Sequence, residues 1–282
     1  MRKVKYMNSF VSAEWVKQRL GSEDLIIFDA RQDLTGEVEP YDIYREKHIE
    51  SAFFLDGENE LVGEKIGKHG GRHPLPNLET FAEIMRSFGL SNSKIVVAYG
   101  FNAGRVLYLL KLIGFNRVFI LNGGFEEWER CGYPTTDEIK TPVRGNFTPN
   151  FDKSSIVDRD FVFKNYRNEN ILLVDSRSEP RYRGEIEPID PVAGHIPRAV
   201  NYDFMSNFDE NGKLKSRELI KSQFDKVLDY NKEIILYCGS GVTATYNYIL
   251  LSELGINVKI YAGSWSDWIS YEGSPVSVGS FE

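Results

Sequence analysis

The chain alternates short runs of β-branched and other apolar residues with longer segments in which apolar residues recur at helical spacing. This alternation is typical of a parallel sheet with helices on both faces, so the predicted fold class is α/β. The predicted strands are LIIFDA (25–30), IVVAY (95–99) and VFILNG (118–123) in the first half, and ILLVDS (171–176), IILYC (234–238) and VKIYAG (258–263) in the second.

The chain also repeats itself. Four blocks of the first half recur in the same order and at similar spacing in the second, which predicts a duplicated unit of roughly 130 residues. We expect a first domain over residues 1–137, a linker over 138–154 that is rich in proline, glycine and charge, and a second domain over 155–282. The paired blocks are LIIFDAR with ILLVDSR, EKHIESAFF with AGHIPRAVN, IVVAYG with IILYCG, and IGFNRVFILNGGFEEW with LGINVKIYAGSWSDW.

The composition argues against several classes of protein. Of the 282 residues 41% are hydrophobic, which is typical of a globular protein with a full core, and the net charge of −7 argues against nucleic acid as a partner. The apolar runs are short and interrupted by charge, so no membrane span is predicted. The two cysteines, Cys131 and Cys238, are too few for a disulfide framework. We therefore expect a cytoplasmic protein.

Cys238 is the strongest candidate for chemistry. It ends a predicted strand, and the loop Gly-Ser-Gly-Val-Thr separates it from a predicted helix. Parallel α/β sheets bind ligands at the carboxyl ends of their strands, where backbone N–H groups and helix N-termini favour an anion. Gly239 and Gly241 allow the loop to close around the sulfur, and such settings lower the pKa of a thiol.

The duplication provides an internal comparison. The position that matches Cys238 in the first half is Gly100. The architecture therefore does not require a cysteine there, which favours a functional role for Cys238. Cys131 follows a helix and has no comparable loop.

The sequence resembles the two-domain sulfurtransferases, the rhodanese and 3-mercaptopyruvate sulfurtransferase family, over nearly its whole length. The resemblance is carried by VDSR (174–177), RYRGEIEP (181–188), AGHIPRAVN (193–201), CGSGVTA (238–244) and YAGSWSDW (261–268). It implies tandem rhodanese-like domains, each a mainly parallel sheet flanked by helices, of which the first is catalytically silent and the second is active.

The resemblance also implies a double displacement. The Cys238 thiolate takes sulfur from a small donor to form a persulfide, and cyanide, a thiol or a thioredoxin-like protein then accepts that sulfur. It implies no metal and no organic cofactor. Ser240 is expected to act beside Cys238, and the substrate-binding residues are expected to be Arg181, Gly239, Gly241, Val242 and Thr243.

The donor is the open point. In this family a Cys-Gly-Ser-Gly loop is associated with 3-mercaptopyruvate, and Gly239 and Ser240 match it. The mercaptopyruvate enzymes also use two arginines; Arg181 matches the first, whereas Asp190 stands at the second, as in thiosulfate enzymes. We favour 3-mercaptopyruvate, with thiosulfate:cyanide sulfur transfer or a non-catalytic persulfide carrier as alternatives.

Histidines offer a proton relay from Ser240. His48 matches the relay histidine proposed for the family, with Asp42 as a candidate acidic partner. His48 also recurs as His195, and a residue repeated in both halves favours a structural role, as do the repeated pairs Asp29–Arg31 and Asp175–Arg177. His69 and His73 are four residues apart, but glycines between them and Pro74 exclude a helix, so no metal site is expected.

Two other cysteine chemistries lack a required residue. A cysteine-dependent phosphatase of the same fold needs an arginine six positions after the cysteine, where this chain has Ala244. A thioredoxin-like redox protein needs a second cysteine at the position of Gly241.

Overall fold

The computed structural model describes residues 7–33, 35–65 and 67–280, and it contains the strand and helix alternation that the sequence predicts. The first half has the strands β1 (Phe10–Val11), β2 (Leu25–Asp29), β3 (His48–Ile49), β4 (Ala52–Phe54), β5 (Ile95–Tyr99), β6 (Val118–Leu121) and β7 (Thr135–Thr136). Its helices are α1 (Ala13–Lys17), α2 (Pro40–Glu46), α3 (Leu78–Ser87), α4 (Ala103–Leu112) and α5 (Gly124–Arg130).

The second half repeats this succession except for β3 and β7, in whose place His195 and Ser277 form an isolated antiparallel bridge. Its strands are β8 (Ile156–Val157), β9 (Ile171–Asp175), β10 (Val200–Asn201), β11 (Glu233–Tyr237) and β12 (Val258–Tyr261). Its helices are α6 (Arg159–Asn165), α7 (Glu179–Arg183), α8 (Arg217–Phe224), α9 (Ala244–Glu253) and α10 (Ser264–Trp268), with a short 3-10 helix at Phe204–Asn207.

Each half forms one parallel sheet of five strands, and in the first half β3 and β7 form a separate antiparallel pair. The strand order is β1-β6-β5-β2-β4 in the first half and β8-β12-β11-β9-β10 in the second, so equivalent strands hold equivalent places. The central strands β5 and β11 are buried over their last four residues because helices cover both faces of each sheet. The two sheets confirm the predicted α/β fold and its duplication.

The two halves meet through the helices that follow their central strands. Helix α4 packs against α9 at Gly104, where a built Cβ atom lies 2.8 Å from the Thr245 hydroxyl and 2.9 Å from the Tyr246 ring. Further along the same helices the rings of Tyr108 and Tyr248 meet edge to face at 4.9 Å. The contact at Gly104 requires a residue without a side chain, and it brings the loops before both helices close to the interface.

Residues 137–153 contain neither helix nor strand and lie along the first half of the chain. The Gly145 N–H donates to the Arg86 carbonyl at 2.8 Å and the Phe147 N–H to the Leu90 carbonyl at 3.0 Å, while the Phe147 side chain is buried. The proposed linker therefore packs along the first domain by backbone hydrogen bonds.

The longest helices of the described residues have ten residues, and none is long and apolar enough to cross a membrane.

Candidate functional site

Cys238 lies directly after β11, at the carboxyl edge of the second sheet, in the loop 238–243 that leads into α9. The residue is 2% exposed. Its sulfur accepts a hydrogen bond from the Gly241 N–H at 3.1 Å, and its carbonyl accepts one from the Trp265 N–H at 3.0 Å. The loop thus encloses the sulfur as the strand-end position predicts. The other cysteine, Cys131, is exposed.

The surroundings of Cys238 favour its anionic form. Burial raises the pKa of the thiol, but the Thr243 hydroxyl and the N–H groups of Ala244, Ser240 and Gly241 hydrogen-bond the sulfur and outweigh burial, so the pKa is lowered below its ordinary value. A thiolate is the nucleophilic form of cysteine. The loop therefore holds a buried sulfur ready for nucleophilic attack.

The loop depends on glycine at position 241. Gly241 has φ +78°, and a Cβ atom built there lies 2.2 Å from the Ala262 carbonyl oxygen. Val242, the next predicted site residue, is buried, and its carbonyl accepts the Thr245 hydroxyl at 2.5 Å. At position 241, by contrast, only glycine fits the turn.

Ser240 heads a hydrogen-bonded chain that crosses to the first half of the protein. Its hydroxyl lies 2.7 Å from His73 Nδ1, and His73 Nε2 lies 3.0 Å from Glu58 Oε1. Burial lowers the pKa of His73, the cations Arg105 and Arg72 lower it further, and Glu58 opposes them. A neutral imidazole between a hydroxyl and a carboxylate can pass a proton in either direction.

The expectation that His48 reaches Ser240 is wrong. His48 is fully buried, its Nδ1 lies 2.8 Å from the Tyr44 carbonyl oxygen, and its ring stacks on Tyr44 at 3.9 Å. His195 repeats this arrangement on Tyr182, at 2.7 Å and 3.8 Å. The two histidines are equivalent packing residues, which confirms the structural interpretation. The candidate partner Asp42 pairs with Arg45 on the surface.

Sequence reasoning missed His73 as the histidine of the site. His69 and His73 diverge, as the intervening glycines predict: His69 Nδ1 lies 2.9 Å from the Ser270 hydroxyl, and its ring stacks on Tyr271. Within the described residues no group of three or more His, Cys, Asp or Glu side chains is arranged to hold a metal ion. The available signal was that His73 has no counterpart in the second half, the same criterion that singled out Cys238.

Arg181 lies beside the loop, on α7. Its guanidinium donates to Glu187 at 2.6 Å and to Asp190 at 3.3 Å. Arg72, next to His73 in the chain, binds the other oxygen of the Asp190 carboxylate.

The repeated pairs Asp29–Arg31 and Asp175–Arg177 are salt bridges of 2.6 Å in both halves, which confirms their structural interpretation.

A buried cation on α4 hydrogen-bonds the loop of Cys238. Arg105 is 1% exposed, and its guanidinium donates to the Gly241 carbonyl at 3.0 Å and to the carbonyls of Leu61, His73 and Pro74 at 3.0–3.1 Å. Burial lowers the pKa of Arg105 to about 10, and the negative charge of the Cys238 thiolate acts in the opposite direction. Arg105 is thus a positive charge that faces the thiolate and joins the segment of His73 to the loop of Cys238.

The equivalent loop of the first half holds no nucleophile. Helix α4 begins three positions after Gly100, whereas α9 begins six positions after Cys238, so the first loop is too short to wrap a sulfur in the same way. Gly100 has φ +97°, and a Cβ atom built there lies 2.5 Å from the Arg31 backbone nitrogen. A cavity of about 900 Å³ lies beside Gly100, lined by Phe101, Phe204 and Tyr246 among others. The first half retains space at this edge without a reactive group.

Comparisons with known proteins agree with the duplicated fold. The pattern of the rhodanese-like domain matches residues 12–131 and 161–271. A probable 3-mercaptopyruvate sulfurtransferase of Pseudomonas aeruginosa is 35% identical, over 95% of this chain and 98% of its own. The thiosulfate sulfurtransferase of Bos taurus is 33% identical, over 92% and 91%. Among solved structures, SseA of Escherichia coli, a 3-mercaptopyruvate sulfotransferase, superposes with a TM-score of 0.80 at 29% identity, over 91% of this chain and 98% of its own.

Proposed function

Because the chain belongs to the rhodanese-like family of sulfurtransferases, we propose that it moves sulfur from 3-mercaptopyruvate to a thiophilic acceptor through a persulfide on Cys238. The observation that carries the choice of donor is the chain of hydrogen bonds from Ser240 through His73 to Glu58.

The first step forms the persulfide. The Cys238 thiolate attacks the sulfur of 3-mercaptopyruvate, an S–S bond forms, and the C–S bond of the donor breaks with its electron pair on carbon. The leaving group is the enolate of pyruvate. The lowered pKa of Cys238 supports this step, since the attacking group must be a thiolate at neutral pH.

The leaving enolate needs a proton, and the donor's own thiol supplies it in the net reaction. The transfer runs from donor sulfur to carbon, and Ser240 with His73 offers a path for it, supported by the 2.7 Å contact between them. Thiosulfate makes no such demand, because sulfite leaves without protonation. A built proton path therefore favours 3-mercaptopyruvate over thiosulfate.

The second step returns the enzyme to its thiolate form. An acceptor attacks the outer sulfur of the persulfide, the S–S bond breaks, and its electron pair stays on Cys238. Cyanide gives thiocyanate, and a thiol or a thioredoxin-like protein gives a persulfide of its own. The same N–H groups that lower the pKa of Cys238 suit the anionic persulfide.

A second candidate function is sulfur transfer from thiosulfate by the same persulfide. It is favoured by the two guanidinium groups of Arg72 and Arg181 beside the loop, which suit a dianion, and by the 33% identity to the bovine thiosulfate sulfurtransferase.

Steady-state transfer to cyanide with each donor tests the proposal. The wild type is expected to have the higher kcat/KM with 3-mercaptopyruvate, and Cys238→Ser to be inactive with both donors. His73→Gln cannot pass a proton, so we expect kcat with 3-mercaptopyruvate to fall about 10²-fold or more, with little change for thiosulfate. The matched control is His69→Gln, because His69 lies in the same segment but contacts Ser270.

Each alternative has its own outcome. A higher kcat/KM with thiosulfate in the wild type refutes the choice of donor, and activity in Cys238→Ser refutes the persulfide mechanism. Release of a single equivalent of sulfur per protein, without turnover, supports the carrier alternative instead.

A further inference from the structure

Three residues other than glycine have a positive φ in the described part of the chain: Ser51 at +69°, Arg198 at +68° and Ser264 at +57°. This left-handed region strains a residue that has a side chain, so each case needs a physical reason. Ser51 and Arg198 occupy the same turn of the two repeats, three positions after His48 and His195. Their conformation therefore belongs to the duplicated architecture.

Ser264 differs, because the first half has glycine at the matching position. Gly123 matches Gly263, and the residue after it, Gly124, has φ +61°. A Cβ atom built at Gly124 meets, among the described atoms, only the end of the Glu126 side chain at 3.1 Å, so space does not require glycine there. The first half thus makes its left-handed turn with the residue best suited to it. The second half makes its turn with a strained serine.

The Ser264 hydroxyl hydrogen-bonds the backbone of Cys238. Ser264 is fully buried, and its Oγ accepts the Cys238 N–H at 3.1 Å and donates to the Tyr261 carbonyl at 3.0 Å. The N–H of Trp265, the next residue of α10, donates to the Cys238 carbonyl at 3.0 Å. The start of α10 therefore holds the peptide groups on both sides of Cys238.

A backbone fixed at Cys238 also fixes the direction of its sulfur. The sulfur accepts the Gly241 N–H at 3.1 Å, and this contact requires the loop to leave β11 in one direction. We propose that Ser264 is a positioning residue for sulfur transfer, whose hydroxyl holds the Cys238 N–H so that the sulfur lies among its N–H donors. This inference rests on the proposed function. It gives the strained conformation a reason, because glycine makes such a turn more easily but cannot accept the hydrogen bond.

A simpler role for Ser264 is to stabilise the fold, and two variants separate the roles. Ser264→Ala and Ser264→Gly both lack the hydroxyl, but only glycine relieves the left-handed strain. The measurements are kcat and KM for transfer to cyanide with the better donor of the wild type, the pH midpoint of Cys238 alkylation by iodoacetamide, and the melting temperature. Alkylation is followed in a Cys131→Ser background, because Cys131 is exposed.

The matched control is Ser51→Gly. It relieves the same kind of strain, at φ +69°, but the Ser51 hydroxyl accepts Lys140 Nζ at 3.0 Å and does not contact the loop of Cys238. Its kcat and its midpoint of alkylation are expected to equal those of the wild type.

Both Ser264 variants are expected to lose about 10- to 100-fold in kcat, with the KM of the donor unchanged. The midpoint of alkylation is expected to move to higher pH, because a sulfur displaced from its N–H donors is a less stable anion. Ser264→Gly should melt at a higher temperature than Ser264→Ala and yet be no more active. If Ser264→Gly keeps the kcat and the midpoint of the wild type, the proposal is overturned, because Ser264 then serves only the fold. Failure of the proposed function has a separate signature, which is activity that survives in Cys238→Ser.

Discussion

The Thr243 hydroxyl offers a direct test of how the loop activates Cys238. Among the hydrogen bonds that lower the pKa of the thiol, the one from this hydroxyl has the largest effect, ahead of those from the N–H groups of Ala244, Ser240 and Gly241. Thr243→Val keeps the shape of the side chain and removes only this donor. A hydrogen bond to a charged group contributes about 1.5–3 kcal/mol, and 1.4 kcal/mol corresponds to about one pKa unit.

Because three N–H donors remain, we expect the lower end of this range, with the pKa of Cys238 raised by about one. The assay is the pH dependence of alkylation by iodoacetamide, checked against the ultraviolet absorbance of the thiolate. The sign follows from the charge: the hydroxyl stabilises the anion, so its loss moves the midpoint of reactivity to higher pH and slows alkylation at neutral pH.

The matched control is Thr245→Val. Thr245 is fully buried two positions later, but its hydroxyl donates to the Val242 carbonyl at 2.5 Å rather than to the sulfur. If Thr243→Val leaves the midpoint unchanged, or moves it no further than Thr245→Val does, hydrogen bonding by the hydroxyl is not what lowers the pKa of Cys238.

Two further predictions concern the first domain. Arg105→Met removes both the charge that faces Cys238 and the donors to four carbonyls. We therefore expect the free energy of unfolding, measured with denaturant, to fall by about 3–5 kcal/mol and the pKa of Cys238 to rise. Arg105→Lys keeps the charge and should keep the lowered pKa, so equal pKa values of Cys238 in the two variants contradict this role. Gly100→Cys is expected to lower the melting temperature without adding sulfurtransfer in a Cys238→Ser background, because its Cβ meets the backbone of Arg31; cyanide-dependent turnover by that double variant argues against the reasoning.

Much of the second domain's site could be predicted from the sequence because its residues are consecutive. Cys238, Ser240 and Gly241 occupy one loop between a strand and a helix, and both elements have clear apolar patterns. The repeat also revealed the duplicated sheets, since each strand block appears twice in order. Local patterns suffice where the functional groups are local.

The contribution of the first domain could not be predicted in the same way. His73 and Arg72 lie in a segment with no periodicity, and their position follows from contacts with Ser240, Ser266 and Asp190 that no spacing in the sequence encodes. The family resemblance favours His48, although its repetition as His195 indicates a packing role. A residue present in both halves indicates an architectural role, and the absence of a counterpart leaves a functional role open, as for His73, without requiring one, as His69 shows.

The division of the site between two domains has a consequence for the order in which a growing chain acquires it. Glu58, Arg72, His73 and Arg105 all precede Cys238 by more than a hundred residues. Domains generally fold as units, the N-terminal one first, while synthesis continues. Glu58 and His73, the proposed path for the donor's proton, are therefore made before Cys238 emerges from the ribosome. The site is complete only after the second domain has folded, because His73 and Arg72 take their positions through contacts with Ser240, Ser266 and Asp190.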